Sequence, residues 1–448
     1  MDTGVQPKRL AGCSHNIMRR KQVPVSRSGP SGRNIFRGIV SSLGPGLITG
    51  AADDDPSGIG TYTIAGARFG YSPLWTTWFL FPLMLAVQIM CARLGMVSGK
   101  GLGALLRERF GKPVFWIACL LLLVANIVNI GADLGAMSEA THMILGGPSW
   151  YLTPLFTILL IALLSWSSYR RIAQVFKWMT LALFAYLIAA FTAHPDWKQV
   201  FSATLIPRAE TSSAYATMLL ALAGTTISPY LFFWQASQEV EEDRDKGRVT
   251  VAQRRGATTR EIRNSRVDVT CGMLFSQLIM YFVILTSAAT LHGHGNTAIE
   301  TTGQAAAALR PLAGQAASLL FTFGIVGSGM LSVPVLAGSA AFAIAEGAGW
   351  RNSLAYHPRQ ARPFYAVLFA GLVAGALLNY IGLDVIPMLY WSAVINGFLA
   401  PPLLILVVVL SSDRRVMQRH ASGRVLKTLG WLAAAVMTVA AASTFLAK

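Results

Sequence analysis

The chain has 448 residues, of which 54% are hydrophobic and 13% are charged, and its mean hydropathy is +0.51. Because soluble domains usually carry about 25% charged residues, this composition excludes an ordinary soluble protein and indicates one built into a membrane. The formal charge of +17 raises the alternative of a nucleic-acid-binding protein, and the positions of the basic residues decide against it.

The basic residues concentrate in the segments between alternate apolar stretches. The densest groups precede the first stretch and separate the sixth from the seventh, whereas the opposite side carries only Arg68, Lys198, Arg208, Arg310 and Lys448. This asymmetry follows the positive-inside rule, in which cytoplasmic loops are rich in Lys and Arg. It predicts an inner-membrane protein with a cytoplasmic N-terminus, an external C-terminus and no nucleic-acid partner.

Apolar stretches of about 20 residues recur along the chain, each long enough to cross about 30 Å of hydrocarbon as a helix. They predict an all-α polytopic membrane protein of about eleven transmembrane helices. The predicted spans are 44–67, 73–95, 114–138, 149–167, 174–193, 213–236, 269–290, 316–346, 364–381, 385–410 and 426–446.

Two of these spans, the first and the sixth, are interrupted by polar residues next to a proline. The interruptions read AADDDPSG from Ala51 and GTTISPY from Gly224. Proline removes a backbone donor and breaks the helix, which frees backbone groups inside the membrane. Two broken helices five spans apart are typical of an inverted repeat with a binding site at the bilayer midplane.

This pattern predicts how the chain is divided. Residues 1–42 are polar and basic and are expected to form a disordered cytoplasmic tail. The transporter core is expected at 43–410, as two inverted repeats at about 43–195 and 211–410. Residues 411–448 are expected to add a cytoplasmic loop and the eleventh helix.

Asp53, Asp54 and Asp55 are the most informative residues of the sequence. A carboxylate at the bilayer centre costs about 2.5–3.5 kcal/mol even on translocon-based scales, so three together cannot face lipid. One interpretation places the triplet in a loop outside the bilayer; the other places it at mid-depth inside the first span. Carboxylates and freed carbonyls are hard oxygen ligands that suit Mg, Ca or Mn, and Thr225, Thr226 and Ser228 in the sixth span add only oxygen.

The segment GPGLITGAADDDPSGIGTYTIAGARFGYSPLW, followed by ARLGMVSGKGLGALLRERFG, resembles the first two helices of the Nramp divalent-metal transporters. The resemblance extends over nearly the whole chain after residue 38 and implies a LeuT-type fold of five plus five helices. In that family Asp-Pro-Gly-Asn in the first helix and Met-Pro-His in the sixth carry the metal ligands. The resemblance implies that Asp55 is a ligand, that Ala52 and Thr225 offer carbonyls, and that Gly58 and Ser228 replace the Asn and the Met.

These replacements predict a harder site than is usual in the family. A thioether favours transition metals, so a serine in its place shifts the preference toward harder cations. Loss of the Asn amide leaves fewer protein ligands, which suits an ion that keeps several waters, as Mg²⁺ does. We therefore expect import of Mn²⁺ and Mg²⁺, with Asp54 as a helper ligand and Asp53 pointing elsewhere.

The resemblance also bears on proton coupling and on the permeation path. Tyr230 and Gln235 occupy the positions of the family's two histidines in the sixth helix, and Asp133 retains one member of an acidic pair whose partner is Ala136. Asp133 could accept a proton or could serve structure alone. Ser392 and Asn396 in the tenth span could line the permeation path or could join helices by hydrogen bonds.

One alternative keeps the architecture and changes the substrate to an amino acid or another small organic ion, whose ammonium group Asp55 would pair. An enzyme is not expected, because the sequence has no phosphate loop, nucleophile elbow or zinc-protease motif. No cofactor is expected, the divalent ion and the lipid bilayer are the expected partners, and the sequence leaves the oligomeric state open.

Overall fold

The computed structural model describes Met1 and residues 44–147, 149–167, 169–207 and 212–446. Over these residues the secondary structure is entirely helical, without a strand. The expected disordered tail at 1–42 lies almost wholly outside the described residues.

The first half of the chain contains eight longer helices. They are α1 (Pro45–Asp53), α2 (Pro56–Phe69), α3 (Leu74–Ser98), α4 (Leu102–Leu145), α5 (Leu152–Trp166), α6 (Tyr169–Thr180), α7 (Phe184–Thr192) and α8 (Trp197–Leu205). The first predicted span is thus the pair α1 and α2, and the fifth is the pair α6 and α7.

The second half contains seven longer helices. They are α9 (Ser213–Thr226), α10 (Pro229–Asp245), α11 (Thr259–Thr290), α12 (Ala317–Ala348), α13 (Arg362–Leu378), α14 (Val385–Ser412) and α15 (Arg424–Leu446). Short α-helical turns at Val251–Arg254, Thr302–Ala306, Arg310–Ala313 and Arg414–Met417 lie in the connections.

By length and composition, eight helical segments of the described chain can cross a membrane, and α5 and α13 are shorter apolar helices. The broken pair α1 and α2 accounts for the remaining predicted span. Each predicted span thus coincides with a helical segment of the described chain, and the prediction of an all-helical polytopic protein is confirmed.

Several helices are longer than their predicted spans. Helix α4 begins at Leu102 and passes through Gly111, whose φ of 82° breaks the helical geometry. Helix α10 continues to Asp245 and α11 begins at Thr259, so helix occupies both ends of the predicted loop 237–268. Polar residues continue these helices beyond the apolar stretch, so hydropathy alone predicts helices that are too short.

The interior of the bundle is built around the broken helices. Helix α1 packs against α11, α9 packs against α14, and α4 packs along α12, α13 and α14. Glycines allow the closest approach: a Cβ built on Gly50 of α1 would lie 2.1 Å from the carbonyl oxygen of Gly272 in α11. The backbones of α1 and α11 therefore touch directly, close to the break in the first span.

Candidate functional site at the two helix breaks

The two breaks share one backbone pattern. The first non-helical residue has ψ near 60°, with φ −84° and ψ 57° at Asp54 and φ −105° and ψ 58° at Ile227. The next residue is extended, with φ −72° and ψ 166° at Asp55 and φ −74° and ψ 127° at Ser228. A proline then starts the second helix at its first position, as expected, because a residue before proline avoids the helical region.

Asp55 is the N-cap of α2 and is buried, with 1% of its surface exposed. Its Oδ1 accepts from the backbone N–H of Gly58 at 2.6 Å. Its Oδ2 accepts from Asn129 Nδ2 of α4 at 3.0 Å and from the Tyr230 hydroxyl of α10 at 3.3 Å. Three neutral donors thus hold this carboxylate in place, and no Lys or Arg of the described chain pairs with it.

Tyr230 joins the two breaks directly. Its hydroxyl donates to the carbonyl oxygen of Ala52 at 3.0 Å as well as to Asp55. The sequence assigned Ala52 as a carbonyl ligand and Tyr230 to the coupling pathway, and the structure brings these two residues into one hydrogen bond. The carbonyl of Ala52 therefore faces the second break, and its hydrogen-bond partner there is the Tyr230 hydroxyl.

Gly58 and Thr225 lie opposite each other beside this carboxylate. A Cβ built on Gly58 would lie 3.0 Å from Thr225 Oγ1, 3.3 Å from Asp55 Oδ1 and 3.4 Å from the Tyr62 hydroxyl. Any larger side chain at Gly58 would point at these three oxygens. Tyr62, which the sequence analysis did not select, is therefore part of the site.

Ser228 turns its side chain back toward its own helix. The Oγ donates to the carbonyl oxygens of Thr225 at 2.6 Å and of Gly224 at 3.1 Å. The carbonyl of Thr225, assigned from the sequence as a ligand, is thus bonded to the hydroxyl of the other assigned residue of this break. Both residues are buried, at 3% and 1% exposure respectively.

Asp53 and Asp54 share a partner that the sequence did not indicate, Ser276 of α11. The Ser276 hydroxyl lies 2.5 Å from Asp53 Oδ2 and 3.3 Å from Asp54 Oδ1. The other oxygen of each carboxylate is buried and has no hydrogen-bond partner in the described chain. The structure therefore places Asp54 with Asp53, on the α11 side, rather than with the donors around Asp55.

Asp133 of α4 supports the backbone just after the first break. Its Oδ1 accepts from the N–H of Ser57 at 3.0 Å and its Oδ2 from Ser332 of α12 at 3.2 Å. Asn129 lies one helical turn before Asp133, and this i, i+4 spacing was the signal that could have identified it. Ser276 had no such signal, because its position depends on how α11 packs against α1.

Ser392 and Gln235 each join a broken helix to a neighbour. Ser392 Oγ lies 2.5 Å from Ser57 Oγ, just after the first break. Gln235 accepts from the Thr49 hydroxyl of α1 at 2.6 Å and donates to Glu239 at 3.1 Å, which makes it part of a polar chain along α10.

Asn396 is buried, with 2% of its surface exposed, and no hydrogen bond in the described chain connects it to Asp55.

The oxygen atoms at this site come from the Asp55 carboxylate, from the hydroxyls of Tyr62, Thr225, Ser228 and Tyr230, and from the carbonyls of Ala52 and Thr225. No three His, Cys, Asp or Glu side chains converge as a metal cluster within the described residues. A helical membrane protein with two facing broken helices, one of which carries a buried carboxylate, belongs to the LeuT-type class of transporters.

Comparison with known proteins identifies the family. Residues 46–447 match the family model described as Nramp, natural resistance-associated macrophage protein-like. The chain belongs to the Nramp family of divalent metal transporters and is not an enzyme. The divalent metal cation transporter MntH of Deinococcus radiodurans is 29% identical over 417 residues, which cover 91% of this chain and 90% of the relative.

Solved structures show the same fold. The manganese transporter of Eremococcus coleocola superposes with a TM-score of 0.70 at 19% identity, covering 92% of this chain and 87% of that chain. The nucleobase-cation-symport-1 family transporter Mhp1, in a closed conformation, superposes with a TM-score of 0.56 at 12% identity, covering 91% and 93% of the two chains. The predicted LeuT-type fold is therefore confirmed.

Proposed function

We propose that this protein is a secondary transporter that imports divalent metal cations, Mn²⁺ and Mg²⁺, across the cytoplasmic membrane. The ion is proposed to bind at the bilayer midplane, between the two helix breaks. The observation that carries this proposal is the buried carboxylate of Asp55, which accepts from three neutral donors: Gly58 beside the first break, Tyr230 beside the second, and Asn129 of α4. One relative is named a divalent metal cation transporter and another a manganese transporter, and these names support the same substrate class.

The proposed ligands are the Asp55 carboxylate and the carbonyls of Ala52 and Thr225. The ion is proposed to lie in the space beside Gly58. The hydroxyls of Tyr230 and Ser228 now hold those carbonyls. A hydroxyl can rotate and offer its lone pairs, so the arriving ion can replace both hydrogen bonds without moving the backbone. Ser228 and Asp54 then act through water, as expected for a hard ion that keeps part of its hydration shell.

Asp133, Tyr230 and Gln235 remain candidates for the coupling pathway, and Ser392 and Asn396 for the permeation path. Asp133 contacts the backbone just after the first break, which supports a role in holding or releasing that backbone. The proposed orientation has the N-terminus in the cytoplasm and the C-terminus outside, because the basic residues concentrate on one side of the predicted spans.

The deciding experiment measures ⁵⁴Mn²⁺ uptake into liposomes that contain the full-length protein. Asp55→Asn keeps the shape of the side chain and removes its charge, so we expect uptake to fall to the protein-free background. Asp53→Asn should retain most of the uptake, because Asp53 bonds to Ser276 and not to the donors around Asp55. Asp384→Asn is the matched control, since Asp384 is exposed at the start of α14.

Full uptake by the Asp55→Asn protein would show that the Asp55 carboxylate is not a metal ligand. Equal losses in the Asp53 and Asp55 variants would instead indicate a diffuse acidic vestibule. The same assay tests the organic-substrate alternative, because an excess of amino acids should leave Mn²⁺ uptake unchanged, whereas an excess of Mg²⁺ should inhibit it.

A further inference from the structure

A group of basic residues lies away from the helix breaks, where the end of α3 meets α11 and the segment before α15. We call Arg93, Arg266, Arg419 and His420 the basic cluster. Arg93 belongs to the last two turns of α3, and its Nη2 donates to the carbonyl oxygen of His420 at 2.5 Å. Arg419 Nε donates to His420 Nε2 at 3.2 Å. Two arginines therefore contact His420, Arg93 at its backbone carbonyl and Arg419 at its imidazole.

The cluster has positive charge without a counter-ion among the residues that the structure describes. Arg266 lies on α11, which packs against α3, and its charge acts on that of Arg93, whereas the charges of Arg419 and Arg93 act on His420. Burial and these two neighbouring charges lower the pKa of the His420 imidazole, so three arginines carry the charge of the cluster. Within the described chain none of the three forms an ion pair.

Arg93 also has an unused donor. Its Nε is buried and lacks a hydrogen-bond partner among the described residues. A buried donor without a partner costs about 1–3 kcal/mol, more when the group is charged, so the partly exposed Arg93 side chain gains by turning this donor toward an acceptor at the surface. A phosphate suits the need, because its oxygens accept from guanidinium groups in the fork geometry that arginine offers.

Exposed apolar residues follow the members of the cluster along the chain. Val267 follows Arg266 and is 57% exposed, and Val425 and Trp431 of α15 are 73% and 47% exposed. Helix α15 packs on α3 at Gly430, where a built Cβ would lie 2.7 Å from Met90 Cε, one turn from Arg93. A ligand of this surface therefore needs an anionic head for the arginines and an apolar chain for the residues beside them.

We propose that the basic cluster binds the phosphate headgroup of an anionic phospholipid, whose acyl chains lie against Val267, Val425 and Trp431. Basic pockets at the membrane surface between transmembrane helices are suited to such headgroups. The bound lipid would join α3, α11 and α15 at one point. This site is separate from the helix breaks, so it does not depend on which metal the protein carries.

Native mass spectrometry of the full-length protein in detergent, titrated with phosphatidylglycerol or phosphatidylcholine, tests the proposal. We expect phosphatidylglycerol to bind the wild type more tightly. Since each arginine near an anionic lipid surface contributes about fivefold in affinity, the double substitution Arg266→Gln and Arg419→Gln should weaken phosphatidylglycerol binding by roughly 25-fold. Both residues are exposed, so this variant should fold even if Arg93→Gln does not.

The matched control is Arg351→Gln with Arg359→Gln, two exposed arginines between α12 and α13 that change the net charge equally. Its affinity for phosphatidylglycerol should equal that of the wild type. An equal loss in both double variants, or equal affinity of the wild type for the two lipids, would overturn the proposal. Displacement of phosphatidylglycerol by millimolar inorganic phosphate would also overturn it, because the cluster would then be a site for a free ion.

Discussion

The hydroxyl of Tyr230 connects the two helix breaks, through the carbonyl of Ala52 and the carboxylate of Asp55. A metal ion that uses these two oxygens competes with that hydroxyl. Removing the hydroxyl leaves both acceptors short of a partner when no metal is bound, and the metal then satisfies them. Tyr230 is therefore expected to limit affinity.

Tyr230→Phe should bind Mn²⁺ about two- to tenfold more tightly, since a hydrogen bond contributes about 0.5–1.5 kcal/mol net. Titration of the thermal unfolding midpoint with Mn²⁺ measures this change. Tyr380→Phe is the control, because the Tyr380 hydroxyl also donates to a carbonyl, that of Trp150 at 2.8 Å, away from the breaks. Weaker binding by Tyr230→Phe would mean that the phenol oxygen is itself a ligand.

Ser228 decides the expected selectivity. Ser228→Met places a thioether at the second break, and we expect Cd²⁺ to compete better with Mn²⁺ uptake and Mg²⁺ to compete less, because sulfur favours the softer ion. Ser228→Ala separates the loss of the hydroxyl from the gain of sulfur. If wild-type uptake is already strongly inhibited by Cd²⁺ and unaffected by excess Mg²⁺, the hard-site argument fails.

The sequence located the two helix breaks and the residues beside them. Asp55, Gly58, Thr225 and Ser228 stand at proline breaks, and their local backbone follows from sequence alone. Ser276 contacts the aspartates from a helix more than 200 residues further along the chain, and such a contact has no local signal.

At the scale of helices, the contact of α1 with α11 depends on glycine. Gly50 meets Gly272 backbone to backbone. An added methyl group at Gly50 must push the helices apart, and overpacking of this kind typically costs about 1–3 kcal/mol. The sequence shows that α1 contains two glycines, Gly46 and Gly50, but not which helix they would face.

Gly50→Ala should therefore lower the thermal unfolding midpoint of the purified protein, and Gly371→Ala is the control. Gly371 lies inside α13, and a Cβ built there has no heavy atom within 4 Å. Alanine in a helix interior is about 0.5–1 kcal/mol more favourable than glycine, so the control should be unchanged or more stable. Equal midpoints for the two variants would show that α1 and α11 are loosely packed.

At the scale of the whole molecule, the spans were predictable because each apolar stretch is long, whereas the helix ends were not. Helix α11 begins with polar, charged turns that hydropathy assigns to a loop, and α4 includes a segment from Leu102 that lies before the kink at Gly111. Capping residues mark the start of α11 locally: Thr258 accepts from Glu261 N–H, and the Glu261 side chain accepts from Thr258 N–H in return. This reciprocal pair was the available signal for the start of α11.

The proposed orientation predicts the result of cysteine labelling in intact cells. In a background with Cys13 and Cys271 replaced by Ser, Val249→Cys should react with a membrane-impermeant maleimide only after permeabilisation. Asn296→Cys, on the opposite predicted side, should react at once. Both positions are exposed, and Cys91 and Cys119 are buried. The reverse labelling pattern would show that Val249 lies outside the cell and Asn296 in the cytoplasm, opposite to the proposed orientation.

The three donors around Asp55 also bear on the electrical balance of the transport cycle. Gly58, Asn129 and Tyr230 donate to this carboxyl group in the absence of a cation. If no proton moves with the site in the proposed cycle, each imported ion carries two positive charges inward that the return step does not bring back. At about 2.3 kcal/mol per charge per 100 mV, the membrane potential alone supplies about 4.6 kcal/mol per 100 mV for each ion imported. An interior-negative potential would then suffice to accumulate the metal.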